Sequence, residues 1–325
     1  MINSFWNRTP HLQQQLTAVQ TLILHQVDQL KAPLAPLIRQ QILNGGKMLR
    51  PAFLLIFSQF GPQPQEDQLI EAAAAMEILH LATLMHDDVI DNSPTRRHSA
   101  TLQTQVGDRN AIYAGDYLLT VYFELIARVT TNQAQILQQA RGLQKILQGE
   151  LDQLQINANV NATVKMYLRE IAGKTAQLIE LSAQLGATLA QAEPQIIHQA
   201  RFIGHNVGMA FQIQDDILDY VGDERTGKPQ FEDLTNGVYT LPLIYALQTD
   251  PNGHLRQLLQ TTSPLTAMQV QQIVHQVILN GGITAAQRLA HKYTHKAQAL
   301  IEQLPPTHAQ KLLQVLIPYL LQRQV

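Results

Sequence analysis

Apolar positions recur at helical spacing along nearly the whole chain. Leu16, Val19, Leu22, Ile23, Val27 and Leu30 mark such a face near the start, and Leu312, Leu313, Leu316 and Ile317 another near the end. No segment shows the sustained apolar–polar alternation of a half-buried strand. The pattern breaks where helices must stop, at Asn44-Gly45-Gly46, Gly61-Pro62-Gln63-Pro64, Asn92-Ser93-Pro94, Asp250-Pro251-Asn252-Gly253 and Asn280-Gly281-Gly282. The spacing predicts an all-α bundle of roughly ten or more helices and no sheet. These breaks are short and no low-complexity tract separates the halves, so residues 1–325 read as one large helical domain.

Composition narrows the chemistry. Lys and Arg number 23 against 25 Asp and Glu, a formal charge of −2, and cysteine is absent. That balance argues against a nucleic-acid binder, and the lack of cysteine removes disulfides, thiol nucleophiles and thiolate metal sites. Met1 to Pro10 has no apolar stretch of the secretory type, and the most apolar runs, Pro51 to Phe57 and Ile70 to Met85, contain or adjoin charges. They stop short of a spanning segment, so a cytoplasmic protein is expected, at most weakly attached to membranes.

Two acidic clusters interrupt this charge-poor pattern: Asp87-Asp88-Val89-Ile90-Asp91 and Asp215-Asp216-Ile217-Leu218-Asp219. Positions i, i+1 and i+4 fall at about 0°, 100° and 40° around a helix, which concentrates three carboxylates in one arc. Apolar residues precede both clusters, so the carboxylates need something positive to meet them. Mg²⁺ suits, because it takes one or two carboxylates and keeps waters or substrate phosphates as its other ligands. One such cluster alone could be a solvated helix end; two nearly identical copies argue for a metal–diphosphate site. Cations accompany them: Arg96-Arg97 and Lys228 follow the two clusters, and Lys47 with Arg50 lies in Gly45-Gly46-Lys47-Met48-Leu49-Arg50. Lys174 and Thr175 follow Gly173. Each alone could be a helix cap or packing feature.

Together these residues resemble the trans-type isoprenyl (polyprenyl) diphosphate synthases. The resemblance runs from Gly45–Pro51 through Glu77–Asp91, Arg96-Arg97, Gly115–Leu119, Gly173–Ala176 and Phe211–Asp219 to Gly227-Lys228-Pro229, Asp233-Leu234 and Thr240-Leu241-Pro242. It implies the type I isoprenoid synthase fold, with a central cavity between the aspartate-bearing helices, and a reaction joining isopentenyl diphosphate to an allylic diphosphate. It assigns Asp87, Asp91 and Asp215 to Mg²⁺, with three ions per site, and sets Asp88, Asp216 and Asp219 around them. Arg96, Lys174, Thr175, Gln212 and Lys228 are implied to hold the allylic diphosphate, and Lys47, Arg50, His80 and Arg97 the isopentenyl diphosphate.

Two positions depart from the family pattern. Phe231 stands where members often carry glycine, and Val238 where many carry a lysine that adds a diphosphate contact. Chain length is expected to be read at Thr83 and Ala82, four and five residues before Asp87, where short-chain members place aromatic rings as a floor. Small residues there imply a medium- or long-chain all-trans product, with a short-chain farnesyl or geranylgeranyl diphosphate synthase as the alternative if Leu79 or a neighbouring helix closes the channel. A terpene cyclase leaves Lys47, Arg50 and His80 without a purpose, and a His-Asp phosphohydrolase built on His86-Asp87 leaves the second cluster unexplained. The family also implies a homodimer or pairing with a small helical partner subunit, which aspartate-to-alanine changes distinguish from a purely non-catalytic scaffold.

Overall fold

The computed structural model describes residues 4–96, 99–221, 231–260 and 265–321. In chain order the helices are α1 (Pro10–Val27), α2 (Leu34–Leu43), α3 (Leu49–Ser58), α4 (Glu66–Ile90), α5 (Leu102–Val106), α6 (Asp108–Val129), α7 (Gln133–Ile156) and α8 (Val164–Ile171). A π-helical turn, Ala172–Ala176, leads into α9 (Gln177–Leu189). Then come α10 (Pro194–Val221), α11 (Glu232–Thr235), α12 (Leu241–Gln248), α13 (His254–Leu259), α14 (Ala267–Leu279), α15 (Gly282–Glu302) and α16 (His308–Leu321). The protein is all-α. Helices such as α5, α11 and α13, of 5, 4 and 6 residues, are too short to show a period of their own in the sequence.

A small correction concerns sheet. β1 (Thr95–Arg96) and β2 (Ser99–Ala100) pair antiparallel, Thr95 opposite Ala100 and Arg96 opposite Ser99. Two-residue strands cannot display alternation, and what anchors the segment is the Thr101 hydroxyl donating to the Ser93 carbonyl at 2.8 Å.

The chain forms two compact units, Met1–Ala140 with Leu181–Arg201, and Arg141–Glu180 with Phe202–Val325. In the first, α1, α3 and α6 pack on α4. Glu66 and Asp67 in the first turn of α4 favour its positive end, and Ala72 to Met76 have no exposed surface. The alanine run therefore serves packing. By length and composition α4 could cross a membrane, contrary to what its apolar run led us to expect, yet 61% of that stretch is buried and it is the core helix of its unit. A Cβ added at Gly115 in α6 would lie 2.5 Å from His86 Nε2, so glycine is what lets the two helices close here.

The second unit has its own core, built from Met209, Ile213 and Ile217 of α10, Leu243 and Ile244 of α12, Ile273 and Val277 of α14, and Ala286 and Ala290 of α15. Gly282 lets α15 begin against α12, since a Cβ there would lie 2.1 Å from the Pro242 carbonyl oxygen.

Candidate active site

The first cluster sits at the C-terminal end of α4, where the helix dipole is negative and cations are favoured. The structure divides its three aspartates, and the single arc expected from the sequence is corrected. Asp87 is half-buried and Asp91 exposed, whereas Asp88 turns into the first unit with 4% of its side chain exposed. Arg96 Nε donates to Asp88 Oδ1 at 2.7 Å. Burial pushes the Asp88 pKa up and Arg96 opposes it. The 100° offset of the second aspartate thus points it inward, and Arg96 is the cation that meets it. His86 Nε2 lies 3.2 Å from Asp116 Oδ1, so this histidine engages α6.

The second cluster repeats the pattern at the end of α10. Asp215 and Asp219 are half-buried; Asp216 is 2% exposed. Its Oδ1 accepts from Gln212 Nε2 at 2.8 Å and its Oδ2 from the Tyr167 hydroxyl at 2.6 Å. Burial holds the Asp216 pKa well above the usual carboxylate range and the Asp233 charge adds to this, while the two donors pull it down. Thr175 Oγ1 donates to Gln212 Oε1 at 2.7 Å. Lys174 Nζ donates to Glu150 Oε2 and Gln153 Oε1, both at 2.8 Å.

Lys174 and Thr175 ride on the π-helical turn, a local widening that often marks functional sites. The turn is pinned by glycines. A Cβ at Gly149 would lie 2.3 Å from Lys174 N, one at Gly173 2.5 Å from the Lys145 oxygen, and one at Gly208 2.5 Å from Ala176 Cα. Gly173 is therefore a packing glycine as well as part of a motif.

In the first unit, Gly45 and Gly46 take φ of 145° and 130°, and Met48, the residue before α3, takes φ 51°. Those positive angles turn the chain so that Lys47 and Arg50 flank the start of α3. Sequence reasoning missed what holds this loop. Trp6, 1% exposed, donates its indole N–H to the Lys47 carbonyl at 2.6 Å, and the Phe5 ring centre lies 5.2 Å from Lys47 Nζ. A lone tryptophan near an N-terminus was the available signal. His80, half-buried, lies two turns before Asp87. Arg97 and Lys228 lie outside the described residues.

Phe231 has φ 60°, the left-handed region that glycine enters freely and a bulky side chain does not. Its N–H bonds the Asp219 carbonyl at 3.2 Å, and its ring meets Tyr220 edge-on. Val238 follows the C-terminal end of α11, its N–H bonding the Asp233 carbonyl at 2.8 Å.

The donors fit a hard divalent cation. Each cluster sets carboxylate oxygens at the negative end of its own helix, and its second aspartate is held inside its own unit, by Arg96 in the first and by Tyr167 and Gln212 in the second. Among the described residues no three acidic or histidine side chains gather into a ready-made cage.

The polyprenyl synthetase family model matches residues 32–277, a span that runs through both units. Heptaprenyl diphosphate synthase component 2 of Geobacillus stearothermophilus is 34% identical over 312 residues, 95% of this chain and 96% of that protein. The geranylgeranyl pyrophosphate synthase of Lactobacillus brevis superposes with a TM-score of 0.92 at 44% identity, covering 98% of this chain and 99% of that one. A polyprenyl synthase of Caulobacter crescentus, crystallised with calcium and isoprenyl diphosphate, gives a TM-score of 0.89 at 28% identity over 99% of this chain and 97% of that one.

Proposed function

The chain belongs to the polyprenyl synthetase family and is a prenyltransferase, and on that premise we propose that it condenses isopentenyl diphosphate head to tail with an allylic diphosphate to give a medium- or long-chain all-trans product. The observation that carries the reading is the repeated carboxylate geometry, in which each cluster leaves its first and last aspartates partly or fully exposed and buries the second. Asp87, Asp91 and Asp215 are the proposed Mg²⁺ ligands, with three ions per site. Bound Mg²⁺ neutralises charge on the departing diphosphate so that the allylic C–O bond can ionise.

The protein's own groups divide the two substrates. Arg96, Lys174, Thr175, Gln212 and Lys228 hold the allylic diphosphate, and Lys174 adds a positive charge where the leaving diphosphate develops negative charge. Lys47, Arg50, His80 and Arg97 hold isopentenyl diphosphate, whose diphosphate must survive; cations bind it without activating it. The new carbocation loses a proton to the released diphosphate.

Support for a longer product is the absence of an aromatic ring at Thr83 and Ala82. Thr83 is half-buried on the face of α4 that carries His80 and Asp87; Ala82 has no exposed surface. One observation favours a geranylgeranyl-length product as a second reading. Met76, on the same face and ~16.5 Å before Asp87 at ~1.5 Å per residue, is fully buried and could act as a floor.

The enzyme is proposed to act in the cytoplasm as a homodimer; the Geobacillus relative carries the name of one component of its synthase, so a small partner subunit is the other assembly to test. The purified chain is incubated with Mg²⁺, labelled isopentenyl diphosphate and farnesyl diphosphate, and products are sized after phosphatase treatment. A long all-trans product supports the reading, and arrest after one addition moves it to geranylgeranyl length. Silence rescued by a small helical partner establishes a heteromer, and silence that no partner rescues overturns the synthase reading for this chain. Ala82→Phe should shorten the product by at least one unit; unchanged length places the floor at Met76 or elsewhere.

A further inference from the structure

The second aspartate of the α10 cluster is held by a residue that no motif assigns. Asp216 is 2% exposed, and a carboxylate so placed needs donors to offset its lost hydration. It has two, Tyr167 on Oδ2 and Gln212 on Oδ1. Gln212 spends its amide N–H₂ on Asp216 and its oxygen on Thr175, so the amide is fixed in orientation by partners at both ends. Tyr167, on α8, is 1% exposed. Burial next to the Asp216 charge keeps its hydroxyl pKa well above the ordinary range, so it remains a donor. Four side chains from α8, the π-helical turn and α10 form one continuous relay, buried from Tyr167 to Asp216 and half-buried at Gln212.

We propose that Tyr167 is a positioning residue for the allylic diphosphate site: its hydroxyl fixes Asp216 as an internal strut of α10, which sets the rotation at which Asp215 and Asp219 are offered and, through Gln212, the place of Thr175. The proposal rests on the assignment of Asp215, Gln212 and Thr175 to the metal–diphosphate end of the allylic substrate. Without the hydroxyl, Oδ2 of Asp216 is left buried and short of a donor. The carboxylate is then free to turn, and Gln212 loses its fixed acceptor.

Tyr167→Phe deletes one oxygen and keeps the ring that fills the core. The full-length variant is titrated calorimetrically with inorganic pyrophosphate in the presence of Mg²⁺, and its steady-state constants are measured for both substrates. Expected are a roughly tenfold weaker pyrophosphate affinity and a similar rise in allylic KM, the scale of one lost hydrogen bond to a charged group, with isopentenyl diphosphate KM within about twofold of wild type. The double variant with Asp216→Asn should bind pyrophosphate no more weakly than Asp216→Asn alone, because Tyr167 acts through Asp216. Additive losses overturn the proposal, as does an equal rise in both KM values or pyrophosphate affinity unchanged by Tyr167→Phe. If Tyr167→Phe fails to fold, Asp216→Asn decides: unchanged pyrophosphate affinity and allylic KM overturn the strut. Wild-type protein that binds no magnesium pyrophosphate removes the underlying assignment, and the proposal with it.

Discussion

Gly149→Ala tests whether the π-helical turn holds Lys174 in place by backbone contact. The methyl at 149 would sit 2.3 Å from Lys174 N, 2.8 Å from Gly173 C and 2.9 Å from the Glu170 oxygen. All three are backbone atoms, so no side-chain rotation relieves the overlap. The shortest is roughly 1.2 Å inside the ~3.5 Å at which carbon contacts become favourable, so α7 and the turn must part by about that amount. Overpacking of this kind costs about 1–3 kcal/mol. With an unfolding entropy of about 2.1 cal/mol/K per residue over 325 residues, each kcal/mol lowers Tm by about 1.5 °C, giving a drop of about 1.5–4.5 °C.

The functional effect should be larger than the structural one. Displacing a binding group by about 1 Å can cost ~10²-fold in rate, and here the displaced backbone carries Lys174 and Thr175. We expect kcat/KM for the allylic diphosphate to fall by roughly 10- to 100-fold while isopentenyl diphosphate KM stays within about twofold. Gln144→Ala, on the exposed face of the same helix, controls for helix propensity and should change neither. Scanning calorimetry and steady-state kinetics give both readouts. Wild-type Tm together with wild-type allylic kcat/KM in Gly149→Ala would refute the reasoning, because the helices would then have absorbed a methyl without moving the turn.

Two further predictions concern buried carboxylates. Glu170 has its pKa pushed up to about 8 by burial, with Lys174 opposing and the Glu150, Asp233 and Asp152 charges adding. Between its ordinary value of 4.5 and about 8 the folded state holds a proton that the unfolded chain has released, so stability falls as pH rises, by up to ~1.4 kcal/mol per pH unit. Glu170→Gln should therefore gain stability over wild type progressively from pH 5 to pH 8 in urea unfolding, and an equal difference at both pH values contradicts this. Arg96→Ala leaves Asp88 buried without its cation. The cost should be about 3 kcal/mol at pH 8, the low end for a broken buried pair because Arg96 is partly exposed. It should shrink as pH falls and Asp88 takes a proton; a deficit that is constant from pH 8 to pH 5 rules out the charge as its origin.

How much of this was legible follows from what a single sequence encodes. The helical period and the glycine–proline breaks carried the all-α class, because both are local. The aspartate clusters stood out because charge is rare elsewhere in the chain, yet their internal division did not. Only the helix rotation shows that Asp88 and Asp216 face inward, and only the fold brings them Arg96 and Tyr167, the latter 49 residues away in sequence. Gly149 and Gly173 are likewise ordinary helix residues until two backbones meet. Trp6 under Lys47 belongs to the same class of long-range contact.

Phe231 shows how a departure from a family pattern can be read physically. In sequence it is a glycine replaced by a bulky ring, which raises the question of a lost contact. The backbone at Phe231 takes φ 60°, a conformation that costs a side chain roughly 1–2 kcal/mol and costs glycine little. Glycine's advantage at this place is conformational, and the Phe231 ring recovers part of it by packing on Tyr220, next to Asp219. The Phe231 N–H donates to the Asp219 carbonyl. The departure therefore acts as backbone strain at Phe231 itself, whose N–H remains bonded to the carbonyl of Asp219, the last aspartate of the cluster.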